Sequence, residues 1–235
     1  MDISLTHIGV MENKLTSVIL KNPLEIPIIG ERIPLDMIYY INLEHRLDKR
    51  MHIENNVKTY FEPNFTNKFE RFQAIYNSNG AIGCSLSHLE IARKAKQLGL
   101  RYYLVFEDDF EFLINKDEFL EWLSQLFSQP QLDFKVIMLA YNALQQKPYN
   151  DILNETHNAQ TTAGFIVNCT YIDELIECWE NGIHKFIETG EHWNWACDQC
   201  WKVLQKEKWF IASRRIGKQM NTFSDIGKQF INPEF

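Results

Sequence analysis

Apolar runs of strand length alternate with stretches of helical period along most of this chain. MIYYINL (37–43) is almost continuously apolar, the pattern of a strand covered on both faces. The polar turn EHRLDKR leads from it into an amphipathic helix over 47–58, and NKFERFQAI (67–75) reads as a second strand. In GAIGCSLSHLEIARKAKQLG, Ile82, Leu86, Leu89 and Ala92 or Arg93 fall at helical spacing. Gly80 and Gly83 open that segment, and Gly99 stops it after a Lys-rich last turn. RYYLVFEDD (101–109) is an apolar strand that ends in three acids. A helix beginning at Asp117 and ended by Pro130, a strand FKVIMLA (134–140) and a strand TTAGFIVN (161–168) follow. YIDELIECWENG reads as a helix closed by Gly182, a further helix runs from about residue 196, and KWFIASRR (208–215) is a last strand. This alternation predicts an α/β fold with a central, mostly parallel sheet flanked by helices. It forms a single domain over 36–235, preceded by an N-terminal arm or hairpin extension over 1–35 that Pro23, Pro27 and Pro34 interrupt.

Composition narrows the function. A chain of 235 residues with 45% apolar and 13% aromatic residues can bury a sizeable core. Its net charge of −7 has the wrong sign for a protein that neutralises the phosphates of a nucleic-acid backbone, so no nucleic acid is expected as a partner. No run of about 20 apolar residues marks a transmembrane segment. MDISLTHIGVMENK lacks a basic stretch followed by an apolar core. Five cysteines, an odd number, read as reduced thiols. The expected location is therefore cytoplasmic, or a host cell or virion for a viral source. Cys197-Asp-Gln-Cys200 is a lone CxxC; zinc would need two further ligands, with only His184 and His192 near in sequence.

The chemistry concentrates in Glu107, Asp108 and Asp109, directly after YYLVF. Ligands of open α/β sheets collect beyond the carboxyl ends of strands. Three adjacent carboxylates repel one another, and a bound cation relieves the repulsion. Alternation along an extended chain sends Glu107 and Asp109 to one side and Asp108 to the other. Hard oxygen donors suit magnesium or manganese. No GxxxxGK or GxGxxG phosphate loop is present, which argues against a nucleotidyltransferase.

IYYINLEHRLDKR, GAIGCSLSHLEIARKA and LVFEDDFEF, in this order and spacing, strongly resemble glycosyltransferase family 25, which contains bacterial lipooligosaccharide galactosyltransferases and collagen galactosyltransferases. TTAGFIV, the Asp-Gln pair at 198–199 and a Ser-Asp-Ile at 224–226 extend the resemblance over about residues 37–230. It implies a GT-A-like domain with a nucleotide-sugar donor, an acidic motif that binds Mn2+ (or Mg2+) and the donor diphosphate, and inversion at the anomeric carbon. A UDP-sugar carrying galactose or glucose is the donor expected within that family. A hydroxyl of a glycan or glycoconjugate is the expected acceptor, as in lipopolysaccharide or glycoconjugate biosynthesis.

On these residues the metal ligands would be Asp109, Glu107 and Asp225, and Asp108 would contact the ribose. Arg46, with Lys49 or Arg50 behind it, would reach base, ribose or phosphate from the turn after the first strand. Ser87 and His88 would support the donor site or serve structure alone, and the small residues Thr162, Ala163 and Gly164 would let a sugar approach the backbone or suit a crowded strand. An inverting displacement needs a general base, for which Asp198 is the first candidate and Asp225 the second. One of Trp193, Trp195 and Trp201 would form an acceptor platform, Trp193 or Trp195 ahead of Trp201, with core packing the alternative role for each. The competing reading is a catalytically inactive, glycosyltransferase-like module that binds a sugar or nucleotide.

Overall fold

The computed structural model describes residues 33–220, together with 222–224 and 229–231. The arm expected over 1–35 lies outside them except for its last three residues, of which Ile33 and Leu35 are buried in the core.

In chain order the first elements are β1 (Met37–Asn42), α1 (Leu47–Phe61), β2 (Phe69–Gln73), α2 (Gly80–Gln97), β3 (Tyr102–Glu107), β4 (Phe110–Phe112), α3 (Lys116–Phe127) and β5 (Val136–Met138). β6 (Asn142–Pro148), β7 (Leu153–Gln160), β8 (Gly164–Asn168) and α4 (Ile172–Thr189) follow. The one-turn helices α5 (His192–Trp195) and α6 (Cys197–Cys200) come next, then β9 (Trp209–Ala212), β10 (Gly217–Gln219), β11 (Thr222–Ser224) and β12 (Gln229–Ile231). The main sheet has the order β2-β1-β3-β8-β5-β9-β7-β6. β1 pairs in parallel with both β2 and β3, and β5 with β9, while β8 and β7 are antiparallel to their neighbours. Six strands therefore point one way and two are reversed, so the sheet is mostly parallel as expected.

Alternate residues of each strand feed opposite faces. Ile38, Tyr40, Leu104, Phe106 and Ile137 pack against Ile53, Val57 and Phe61 of α1 and Phe119 and Leu123 of α3. Tyr39, Ile41, Tyr103, Val105 and Phe165 pack against Leu89 and Ala92 of α2 and Trp179 and Ile183 of α4. The result is a helix–sheet–helix sandwich. Asn115 and Glu118 close a capping box at the start of α3, each satisfying the other's backbone N–H.

Two expectations need correction, and one element was not foreseen. Gly182 does not close its helix: α4 continues to Thr189 and ends at Gly190, in the left-handed region at φ 73°. Gly182 instead gives room for Cys200, whose Sγ would lie 2.6 Å from an added Cβ. The helix expected from about 196 is broken, because Ala196 is extended (ψ 154°) between α5 and α6, and a 3-10 turn covers Trp201–Leu204. The hairpin β6–β7 was not anticipated, since its residues are mainly polar and its outer strand, β6, is largely exposed.

Candidate functional site

β1 and β3 run in parallel with Ile41 opposite Glu107, so the residues just beyond them emerge side by side. Asn42, buried at the end of β1, donates from Nδ2 to Asp108 Oδ2 at 2.8 Å. β3 ends at Glu107, and Asp108 and Asp109 form the turn into β4. Strand alternation therefore stops where the acids begin. Asp108 and Asp109, not Glu107 and Asp109, meet at one cation: Lys49 Nζ of α1 lies 3.5 Å from Asp108 Oδ1 and 3.5 Å from Asp109 Oδ2. Asp109 Oδ1 is buried with no hydrogen-bond partner. Burial, then the neighbouring charges of Glu107 and Asp108, push the Asp109 carboxyl up to about 7 against the pull of Lys49. Burial also raises Asp108, which Lys49 and Asn42 hold back.

Glu107 is the centre of a second network. Its Oε1 accepts hydrogen bonds from His88 Nε2 (3.1 Å), Thr162 Oγ1 (2.6 Å) and Cys84 Sγ (3.6 Å). Burial alone would drive Glu107 and His88 towards their neutral forms. Their mutual hydrogen bond and charge outweigh it, so the carboxyl is lowered and the imidazole raised. His88 is 1% exposed and is held between the rings of Phe165 and Trp179.

Two hollows meet at Glu107. The first lies over the ends of β1 and β3 and is lined by Asn42, Lys49, Tyr76, Asn77, Asp108 and Asp109, among others. The second is lined by Asn142, Gln160, Thr161, His192, Trp193 and Asp198, among others. Cys84, Glu107 and Gln219 belong to both, so the hollows are two halves of one cleft. In the second half, Asp198 Oδ2 accepts the backbone N–H of Thr161 at 3.2 Å. Burial raises the Asp198 carboxyl, and the Thr161 bond opposes the rise. Thr161 carries φ 86°, a costly value for a β-branched residue, beside the candidate base. Trp193 is 60% exposed in this half, whereas Trp195 stacks under Lys185 and Trp201 is buried in the core.

The remaining predicted residues divide. Arg46 turns onto Asp48 in a bidentate pair (2.8 and 3.0 Å), and its charge also helps to hold Asp108 down. Arg50 pairs with Glu54 at 2.8 Å. Neither is among the residues that line the first half; Lys49 is, 3.5 Å from both Asp108 and Asp109. Ser87 faces the first half but is bound on both sides, donating to Gly83 O at 2.7 Å and accepting from Ile75 N at 2.8 Å. Gly164 is not at the cleft. An added Cβ there would meet the Phe110 ring at 2.5 Å, so the glycine serves core packing rather than sugar approach. The CxxC sulfurs diverge: Cys197 Sγ faces Cys84 Sγ at 4.0 Å, while Cys200 Sγ turns to the Cys197 carbonyl. Asp225 lies outside the described residues. Asn42 and Cys84 were not anticipated as site residues, and Thr162 acts through its hydroxyl on Glu107 rather than through its small size. A polar residue at the carboxyl end of β1, parallel to the acid-bearing strand, was the available signal for Asn42.

No helix among the described residues is long and apolar enough to cross a membrane. A comparison with curated proteins finds no match. Among solved structures, one similar to this chain is a glycosyltransferase involved in the glycosylation of the major capsid of PBCV-1. The likeness has a TM-score of 0.52 at 9% identity and covers 83% of this chain and 97% of that one. Mannose-1-phosphate geranyltransferase from Thermus thermophilus is also similar (TM-score 0.47, 8% identity, 76% of this chain and 73% of that one). So is the glycosyltransferase GlyE of Streptococcus pneumoniae (TM-score 0.40, 10% identity, 80% of this chain and 41% of that one). The PBCV-1 likeness agrees with the GT-A-like fold that the resemblance implies. The model of glycosyltransferase family 25, described as LPS biosynthesis protein, matches residues 76–201, from the loop before α2 through the acidic turn to Trp201. That is more than half of the 235 residues and takes in Glu107, Asp108, Asp109 and Asp198, though not Asn42 or Lys49, and the chain belongs to glycosyltransferase family 25.

Proposed function

We propose that the protein transfers a hexose, galactose or glucose, from a UDP-sugar to a hydroxyl of a glycan or glycoconjugate, with inversion. The observation that carries this reading is the divided cleft. An acidic turn with one lysine lies on one side of Glu107, and a buried carboxylate with an exposed indole lies on the other. Asp109, with Asp108, would hold a divalent cation of the manganese or magnesium kind. Their hard oxygen donors and the unpartnered, buried Asp109 Oδ1 fit such an ion. When bound, the ion supplies neutralisation of the charge that builds on the departing diphosphate.

The chain's own residues would do the rest. Lys49 steers the diphosphate to the turn, and Asn42 fixes Asp108 for its neighbour in the donor. Trp193 packs on the apolar face of an acceptor ring. Asp198 takes the proton of the acceptor hydroxyl as its oxygen bonds to the anomeric carbon, and the diphosphate leaves with the electrons of the broken C–O bond. The raised Asp198 carboxyl makes a better base than an ordinary aspartate.

The test is a panel of UDP-sugars scored by diphosphate release with manganese or with chelator, run on wild type and Asp198→Asn. Wild type should turn over only with metal. The variant should bind donor normally and lose about 100-fold or more in transfer. Transfer at near wild-type rate in the variant removes Asp198 as the base. Donor binding without any turnover in the wild type favours the inactive binding module.

A further inference from the structure

The wall shared by the two halves of the cleft carries a donor set unlike that of the acidic turn. Cys84 and His88 stand four residues apart in α2, on one face of the helix. Glu107 reaches them from the end of β3. Their ligand atoms all lie within 4.8 Å of one another. Cys84 Sγ is 3.6 Å from Glu107 Oε1, and His88 Nε2 is 3.1 Å from the same oxygen. Around a tetrahedral zinc, with bonds of about 2.3 Å to sulfur and about 2.0 Å to nitrogen or oxygen, these separations come to ~3.5 Å and ~3.3 Å. We propose that Cys84, His88 and Glu107 form a three-ligand site for a borderline-soft divalent cation such as zinc, distinct from the hard-oxygen pair Asp108 and Asp109.

Sulfur and imidazole favour zinc or cobalt over manganese or magnesium. Three protein ligands leave a fourth position open, as in reactive rather than purely structural zinc sites. Cys84 and Glu107 both face the cleft, so that position has access to solvent. Binding is balanced by protons: the thiol of Cys84 gives up its proton, and the cation takes the place of the proton now shared between His88 and Glu107. Cys197 Sγ, 4.0 Å from Cys84 Sγ, adds a second sulfur at the rim. The surroundings favour a cation, because Asp109 and Asp198 add negative charge near the same wall.

The test uses the full chain, reduced with a phosphine and titrated with cobalt(II) alone. The expected result is one cobalt per chain with a near-ultraviolet thiolate-to-metal absorption, and a tenfold excess of manganese leaves that absorption in place. Cys84→Ser should remove the absorption and weaken binding by tenfold or more, while Cys200→Ser, whose sulfur faces away, should keep both. Thermal melts of the two variants separate lost binding from lost folding; if Cys84→Ser unfolds, Glu107→Gln takes its place, read as a tenfold or greater weakening of cobalt binding, and unchanged affinity in that variant overturns the proposal. The proposal is overturned if reduced wild type shows no thiolate absorption, if Cys84→Ser retains it, or if manganese removes it.

Discussion

At the scale of single residues, the acidic triplet was legible as a site because three adjacent carboxylates at a strand end are costly without a counterion. Which of them share a side was not legible, because alternation holds only while the strand lasts, and β3 ends at Glu107. The consequence falls on Asp109. Its carboxyl is raised to about 7 in the fold, by burial and by Glu107 and Asp108, from an unfolded value of about 3.9. The folded state therefore holds this proton more tightly. The stability it contributes is complete below about 3.9 and is lost as pH rises through about 7, so at pH 8 the buried charge is a net burden. Asp109→Asn should raise stability at pH 8 by ~1–3 kcal/mol in chelator, with the gain gone near pH 4, while metal-dependent transfer falls at least 100-fold. Urea melts at the two pH values check it. A variant less stable than wild type at pH 8 would mean that the pairing with Lys49 outweighs the burial. Lys49 itself could be found in sequence only as one of three basic candidates, since the helical phase that puts it rather than Arg46 or Arg50 over the turn depends on how α1 packs.

At the scale of elements, most helices and strands could be read because their periods are clean. The helix read from Asp117 begins one residue earlier, at Lys116 behind the Asn115 cap, and the apolar run of β1 marks a strand buried on both faces. The misreadings share one cause: a local signal overruled by a tertiary contact. The hairpin β6–β7 has little apolar alternation to detect, yet β7 is held in the sheet by β9, with Leu153 opposite Ala212. Gly182 looked like a stop signal, but it is a packing residue inside α4. The distinction is measurable. In an open helix, Gly→Ala stabilises by ~0.5–1 kcal/mol. Here the new Cβ would meet Cys200 Sγ at 2.6 Å and Cys200 Cβ at 2.8 Å. Gly182→Ala should therefore destabilise the protein by ~1–3 kcal/mol, read as a lower urea midpoint with an unchanged slope. Gly182→Ala combined with Cys200→Ala should recover part of the loss. A stabilised single variant would show that α6 yields freely, and with it the placement of Asp198 in that same turn.

At the scale of the whole molecule, β1, β3 and the reversed β8 bring to one cleft residues from α1, α2, the acidic turn, the 161–162 loop and α6. No local pattern could have shown that the two halves share Glu107, because the contact joins segments that are 19 to 55 positions apart in the chain. That convergence sets the charge of the cleft. Glu107, Asp108, Asp109 and Asp198 face it, against Lys49 and His88 in direct contact with them, within a chain whose net charge is −7. A nucleoside diphosphate, itself an anion, meets repulsion there until a cation joins it. UDP alone should accordingly shift the thermal midpoint by less than about 1 °C. UDP with manganese, each far above its dissociation constant, should stabilise the fold by RT ln(1 + [L]/Kd). That is about 2.7 kcal/mol at a hundredfold excess, or roughly 5–10 °C for a domain of this size. The same ligands should give no such shift with Asp109→Asn, which keeps Lys49 but loses a carboxylate for the cation. An equal shift with UDP in the presence of chelator would mean that basic side chains alone hold the diphosphate. The acidic turn would then have to be read as a structural ion pair of Asp108 and Asp109 with Lys49 rather than as a place for metal.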